Sequence, residues 1–341
     1  MLNVAVVGAT GAVGREMISA IFELGLPVST MTLMSSARSS GTVVSTPLGD
    51  LTVAEAAPEL FRGVDVAFFS AGASVSRELA PEAVRRGALV IDNSSAFRMD
   101  PTVPLIIPEV NMDAAKSHIG IIANPNCTTI ITVTAVGPIH RRWGIGRMIV
   151  STYQAVSGAG HWGMEALRQE TESVLAGEDP KPSVMPYRTA PVHHQIAFNV
   201  VPQVDVFLED GYTKEEHKTV DETRKILGDE SLKISATTVR VPVFRSHSVS
   251  ANVQTKEHAP IDQVRQVLQS APGVVLVDDP ANFSYPMPIH ASGADPVEVG
   301  RLREDPSAPN AIWLWIVGDQ LRKGAASNAV QIALALYGKQ R

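Results

Sequence analysis

Residues 2–7, Leu-Asn-Val-Ala-Val-Val, form an apolar, β-branched run that stops abruptly at Gly8. That is the pattern of a short strand buried on both faces. A glycine-rich turn follows, Gly8-Ala9-Thr10-Gly11-Ala12-Val13-Gly14, and from Arg15 to Leu24 apolar residues recur at helical spacing. Strand, turn and helix thus arrive in the order of a βα unit that can cradle a phosphate. Apolar runs at 30–34, 64–69 and 88–91 predict further strands, and 76–86 reads as a helix before the last of them. Such alternation predicts an α/β fold with a Rossmann-type, doubly wound parallel sheet.

Beyond Cys127 the pattern changes. Residues 128–139 are apolar and helix-like, and 148–153 read as a strand. Strands are predicted again at 234–243, 248–254 and 312–317, with helices at 214–227 and 261–269. Strands clustered without strict alternation point to an α+β domain with a mostly antiparallel sheet. A last amphipathic helix at 324–336 is expected to return to the first domain. The expected division is therefore 1–127, completed by a C-terminal helix within 323–341, and 128–322. Residues 176–190, rich in proline and charge, are expected to form an exposed loop.

Length agrees with two domains, since 341 residues exceed one ordinary core. Hydrophobic residues make up 45% and charged ones 19%, a globular balance. A net charge of −6 argues against nucleic acid or an anionic membrane as partner, while leaving room for small anions in a local cationic pocket. The one cysteine cannot close an internal disulfide and removes any Cys-rich metal site. With no basic leader and no apolar stretch of membrane length, the chain is expected to be cytoplasmic.

Candidate chemistry sits at two places. In the turn, Gly8, Thr10, Gly11, Ala12 and Val13 can meet a dinucleotide pyrophosphate, although a plain structural turn would look similar. The second strand ends Met34-Ser35-Ser36-Ala37-Arg38-Ser39-Ser40. It lacks the acid that grips a ribose 2′-hydroxyl and offers Arg38 and Ser39 instead, which favours NADP (NADPH) over NAD. The second place is Asn124-Pro125-Asn126-Cys127-Thr128-Thr129. A cysteine between a proline turn and an apolar helix is expected at the helix N-terminus, where the dipole favours thiolate. A buried structural cysteine is the alternative.

These blocks, with others in order, resemble the aspartate-semialdehyde dehydrogenases over essentially the whole chain. The shared marks are GATGAVG at 8–14, Asp92-Asn93-Ser94-Ser95-x-Phe97-Arg98, Ile107-Pro108-Glu109-Val110-Asn111 and the Asn126-Cys127 segment. They continue with Ser151-Thr152-Tyr153-Gln154-Ala155-Val156-Ser157-Gly158-Ala159-Gly160 and Arg240-Val241-Pro242-Val243-x-x-x-His247. The resemblance implies Cys127 as nucleophile, His247 as general acid–base and Gln154 as the residue that orients substrate. It also implies Arg240, Glu215 and Asn126 as substrate-binding, and Arg98 and Lys218 as holding phosphate. Ser157, Gly158 and Gln320 would touch the cofactor. The implied reaction converts L-4-aspartyl phosphate to L-aspartate 4-semialdehyde through a Cys127 thioester, without a metal, in biosynthesis of lysine, threonine, methionine and isoleucine. Its partners are the small-molecule substrate and inorganic phosphate, and the second domain would serve catalysis and assembly into a homodimer or homotetramer.

Alternatives stay open at this point. An N-acetyl-glutamyl-phosphate reductase typically carries Pro-Gly-Cys where this chain has Asn126 before Cys127. A glyceraldehyde-phosphate dehydrogenase would show an acid for NAD. A non-catalytic NADP-binding paralogue should have lost Cys127 or His247, and both are present. Glu215, three residues before Lys218, could equally form an ion pair with it.

Overall fold

A computed structural model describes residues 1–338. It divides into two compact units, Met1–Cys127 together with the segment beginning at Gly324, and Thr128–Lys323.

In the first unit the chain runs through β1 (Leu2–Val7), α1 (Ala12–Glu23), β2 (Val28–Ser35), a hairpin of β3 (Val43–Thr46) and β4 (Gly49–Thr52), and β5 (Ala54–Glu55). Then follow β6 (Val66–Phe69), α2 (Ala73–Arg85), β7 (Leu89–Asp92), the short α3 (Pro108–Asn111) and β8 (Ile121–Ala123). Six strands form one sheet in the order β5-β2-β1-β6-β7-β8, every pairing parallel. Strand periodicity explains the doubly apolar sequence of β1. Val4 and Val6 enter a core with Met17 and Ile21 of α1, while Ala5 and Val7 enter another with Leu79 and Ala83 of α2.

The second unit opens along α4 (Cys127–Trp143) and continues with β9 (Ile145–Gln154), α5 (His161–Leu175), α6 (Lys214–Leu227), β10 (Lys233–Arg240) and β11 (His247–Thr255). It ends with α7 (Ile261–Gln269), β12 (Val274–Leu276), the short α8 (Pro288–Ala291), β13 (Val297–Glu304) and β14 (Ala311–Gly318). Its six strands order as β10-β9-β11-β14-β13-β12. The inner pairings are antiparallel, and the two outermost, β10 with β9 and β12 with β13, are parallel. One face is covered through Val150, Ala251, Leu314 and Ile316, packed with Ile131 and Val136 of α4. On the strands between them, the alternate side chains Tyr153 and Trp315 touch each other, ring centroids 5.5 Å apart.

Helix α6 shows how sequence fixes a local boundary. Thr213 caps it, accepting from Glu216 N–H, while the Glu216 carboxylate accepts from Thr213 N–H at 2.7 Å. The other Glu216 oxygen accepts from Thr238 N–H at 2.8 Å, tying the helix to β10.

Three expectations change in detail. The strand predicted over 234–243 ends at Arg240, because Val241-Pro242-Val243 turns, with Val243 N–H donating to Val241 O at 2.8 Å. Residues 176–190 are irregular, yet Val184 and Met185 are buried against Leu167 and Ile196, so apolar content outweighs the surrounding charge. The last helix, α9, runs Ser327–Tyr337 after a π-type turn over Arg322–Ala326. Its Ala329, Val330 and Ile332 join the core of Val4 and Met17. Residues 339–341 of that expected helix lie outside the described residues. Among the described residues no helix is long and apolar enough to cross a membrane.

The close packing of α1 on the glycine turn is open to test. A side chain at Gly14 would collide with the Gly8 carbonyl oxygen, whereas at Gly146 it would meet only the flexible stem of Lys256, at 3.7 Å, and a carbonyl at 3.9 Å. Gly14→Ala is therefore expected to lower stability by about 1–3 kcal/mol despite alanine's better helix propensity. Gly146→Ala should stay within about 0.5 kcal/mol of the parent. Thermal denaturation of both checks this, and equal losses would refute it.

Candidate active site

In the first unit the glycine turn leaves β1 and feeds α1. Gly8 has φ +90, a region open chiefly to glycine, and a side chain there would lie 2.7 Å from Ser70 O. Gly8 N–H donates to Met34 O at 2.8 Å, and Thr10 Oγ1 meets Ser35 Oγ at 2.9 Å, so the turn is anchored on the end of β2. Beside it lies a cavity of about 310 Å³ whose lining includes Gly8, Thr10, Gly11, Arg38 and Ser39. Ala12 and Val13 open α1, whose first turn carries no acid to repel an anion. The structure thus gathers the glycine turn and the exposed Arg38 around one cavity.

The cysteine segment is built from below by amides. Asn124 Nδ2 donates to Asn93 Oδ1 at 2.7 Å and to Ala325 O at 3.1 Å, and its Oδ1 accepts from Asn328 Nδ2 at 2.7 Å. Asn328 also donates to Ile106 O at 3.0 Å. Arg98 is buried here, its Nε donating to Asn124 O at 2.9 Å and Nη2 to Asn93 O at 2.8 Å. Asp92 takes Ser94 Oγ at 2.7 Å and Ser76 Oγ at 2.8 Å; burial pushes its carboxyl up, against those hydrogen bonds and nearby Arg98. Buried Asn126 then leads into Cys127, the first residue of α4 and partly accessible. The sequence placed Cys127 at the helix start but gave no sign of Asn328, which comes from a distant part of the chain.

In the second unit three neighbouring strands deliver the remaining groups to one end of the sheet. Gln154 closes β9, Arg240 closes β10 directly opposite it, and His247 opens β11. Ala155 holds two of them: its N–H donates to His247 Nδ1 at 3.1 Å, and its carbonyl accepts from Arg240 Nη1 at 2.8 Å. A side chain at Gly158 would lie 2.7 Å from Arg240 Nη1 and 3.4 Å from His247 Nε2. Its absence keeps that side of the pair open, so Gly158 serves Arg240 and His247 whatever it does for a cofactor. Gln154 Nε2 donates to Glu215 Oε1 at 3.3 Å, and Glu215 Oε2 pairs with Lys218 Nζ at 3.2 Å. Lys218 is further tied to Asp205 at 2.8 Å, a partner the sequence did not reveal.

Two details refine expected roles. Gln320 is buried and engaged, accepting from Ser246 N–H at 2.8 Å and donating to Ser157 Oγ. It therefore steadies the turn entering His247, where Ser246 has φ +73. His247 is fully buried, and since its Nδ1 accepts a backbone N–H, the neutral ring carries its proton on Nε2. Burial first, and Arg240 second, hold its pKa well below the usual histidine range. The resting ring is thus a neutral hydrogen-bond donor, and taking a proton from a thiol would require it to release Ala155. Among the described residues no cluster of His, Cys, Asp and Glu could hold a metal.

A parallel nucleotide-binding sheet, a cysteine opening a helix, and an Arg–His pair define a class, the nicotinamide-linked dehydrogenases that use a thiol. Comparison with known proteins agrees: residues 3–118 match the semialdehyde dehydrogenase NAD binding domain and 136–323 the semialdehyde dehydrogenase dimerisation domain. Aspartate-semialdehyde dehydrogenase of Bacillus subtilis is 50% identical over 98% of this chain and 97% of its own. That of Aquifex aeolicus is 50% identical over 97% and 96%. The crystal structure of aspartate semialdehyde dehydrogenase II complexed with ASA from Vibrio cholerae superposes with a TM-score of 0.93 at 41% identity, covering 100% of this chain and 99% of that one. The chain belongs to the aspartate-semialdehyde dehydrogenase family.

The depressed pKa of His247 has a consequence for stability. The unfolded ring protonates as pH falls through about 6.5, whereas the folded ring resists, so stability is full above that value and drains away below it. Between pH 6.5 and 5 the parent is expected to lose up to about 1.4 kcal/mol per pH unit more than His247→Asn. Paired denaturant titrations across that range check the slope; parallel curves would contradict it.

Proposed function

We propose that the chain catalyses the NADPH-dependent reductive dephosphorylation of L-4-aspartyl phosphate to L-aspartate 4-semialdehyde. The observation that carries this reading is the convergence of Arg240 and His247 at Gly158. A planar, bidentate cation beside a neutral imidazole donor suits a substrate with a carboxylate close to a reacting carbonyl.

In this mechanism Cys127 thiolate attacks the acyl carbon, and the C–O bond to phosphate breaks, leaving a thioester. Arg98 and Lys218 receive the departing phosphate. Arg240 holds the α-carboxylate, Glu215 the α-ammonium, and Gln154 and Asn126 orient the acyl group. Nε2–H of His247 donates to the carbonyl oxygen as charge collects there. NADPH, held by Gly8, Thr10, Gly11, Ala12 and Val13 with Arg38 and Ser39 at its 2′-phosphate, supplies the hydride when bound, with Ser157 and Gln320 lining its nicotinamide end. Expulsion of thiolate from the reduced carbon then releases the aldehyde and restores Cys127. A homodimer, or a pair of dimers, formed through the Thr128–Lys323 unit in the cytoplasm completes the reading; the description of residues 136–323 as a dimerisation domain supports it.

A phosphate-dependent NADP reduction assay with aspartate semialdehyde tests the activity. Turnover is expected, and Cys127→Ser should abolish it while NADP binding stays nearly intact. Activity confined to N-acetylglutamate semialdehyde, or retained by the serine variant, would overturn the reading. For the cofactor, one charge-assisted bond to the 2′-phosphate implies at least about tenfold preference for NADP in kcat/KM. Arg38→Ala is expected to erase that preference and leave NAD use almost unchanged. Equal losses with both cofactors would assign Arg38 to the fold.

A further inference from the structure

Asp205 has no place in the scheme above, yet the chain holds it with unusual care. It is a non-glycine residue at φ +66, a conformation that Asp and Asn tolerate better than most. Its Oδ1 accepts from Val206 N–H at 2.9 Å and its backbone carbonyl from Gln203 Nε2 at 3.1 Å. Both contacts aim Oδ2 at Lys218 Nζ, 2.8 Å away. Glu215 Oε2 meets the same ammonium at 3.2 Å, and Glu215 Oε1 is joined to Gln154. One cation thus stands between two carboxylates in a half-buried setting where screening is incomplete, with Lys214 acting on Asp205 from farther off.

That balance suits a resting site and opposes a bound phosphate, which brings nearly two negative charges of its own. We propose that Asp205 is a positioning residue that holds Lys218 between turnovers and competes with phosphate for its ammonium, so that phosphate leaves readily. The proposal rests on Lys218 as a phosphate-binding residue. Phosphate binding draws Lys218 away from Asp205, and phosphate departure returns it. Asp205 never touches substrate; it sets how much of the Lys218 charge the phosphate can use. Burial works against charge on both side chains, but each holds the other ionised: Lys218 keeps Asp205 below the usual carboxylate range, and Glu215 and Asp205 keep Lys218 above the usual lysine range.

Asp205→Asn isolates the effect in the full-length enzyme. Asparagine accepts the left-handed backbone, keeps an oxygen for Val206 N–H, and replaces only the anionic oxygen facing Lys218 with an amide. In the phosphate-dependent direction, KM for phosphate is expected to fall roughly three- to tenfold, the range for loss of a partly screened ion pair. KM for aspartate semialdehyde and for NADP should stay within about twofold, a split that general loosening would not produce. Inhibition by product phosphate in the reductive direction should tighten by the same factor. Should the asparagine variant fold poorly, Asp205→Gly, equally at ease at positive φ, is expected to shift phosphate KM in the same direction. Lys218→Ala and the double variant complete the cycle. If Lys218→Ala leaves phosphate KM unchanged, the phosphate role of Lys218 fails and the proposal with it. If Lys218→Ala raises it but the Asp205 variants do not lower it, the proposal alone fails. A fall of equal size with Lys218 already removed would show Asp205 acting directly on the anion and would overturn the positioning role.

Discussion

The candidate site in the second unit depends on one strand end. Ala155 gives its N–H to His247 and its carbonyl to Arg240, so a single residue fixes both side chains side by side. This is possible only because β9 lies between β10 and β11, with Arg240 opposite Gln154 and Ser248 opposite Tyr153. Strand side chains alternate faces, so a one-residue slip of β9 or of β10 would turn Gln154 or Arg240 to the wrong side. The register is secured elsewhere, by Met148 and Val150 in the core beside Val249, Ala251 and Val253. Apolar packing sets the register, and the register sets the chemistry.

The same geometry settles electrostatics. Arg240 beside His247 is costly to the imidazolium and costs the neutral ring little, and the Ala155 N–H occupies the nitrogen that a second proton would need. The strand ends therefore hold a permanent cation beside a neutral hydrogen-bond donor. In the first unit, Arg98 is treated differently. Its guanidinium is oriented by the carbonyls of Asn93 and Asn124, beside the cysteine segment.

What the sequence made legible was local. Gly8 and Gly14 announce a turn because no side chain fits at either, and Cys127 announces a helix start through the proline turn before it. The parallel sheet followed from strands apolar on every position, as in Val66–Phe69, where all four residues are buried. The unread parts are long-range pairings with no trace in any short window. Ala155 and His247 are 92 residues apart, and Asn124 and Asn328 are 204 apart. Asp205 looked like one more loop acid, because its meaning lies in a backbone angle and a lysine 13 residues on. The strand predicted through Val243 stops early because the Pro242 turn serves the site rather than the sheet.

The placement of α9 affects how the protein is made. Val4, Val6 and Met17 share a core with Ala329, Val330 and Ile332, so the unit opened by β1 is completed by α9, far along the chain. Asn328, at the start of the same helix, also supplies an amide beneath the cysteine segment. During synthesis at about 5–20 residues per second, the opening sheet must wait on the order of tens of seconds for its last wall. Through that interval the face of β1 toward α1 lacks its final cover, while the intervening unit emerges whole and can fold first. Until α9 follows, that face is an apolar surface open to aggregation.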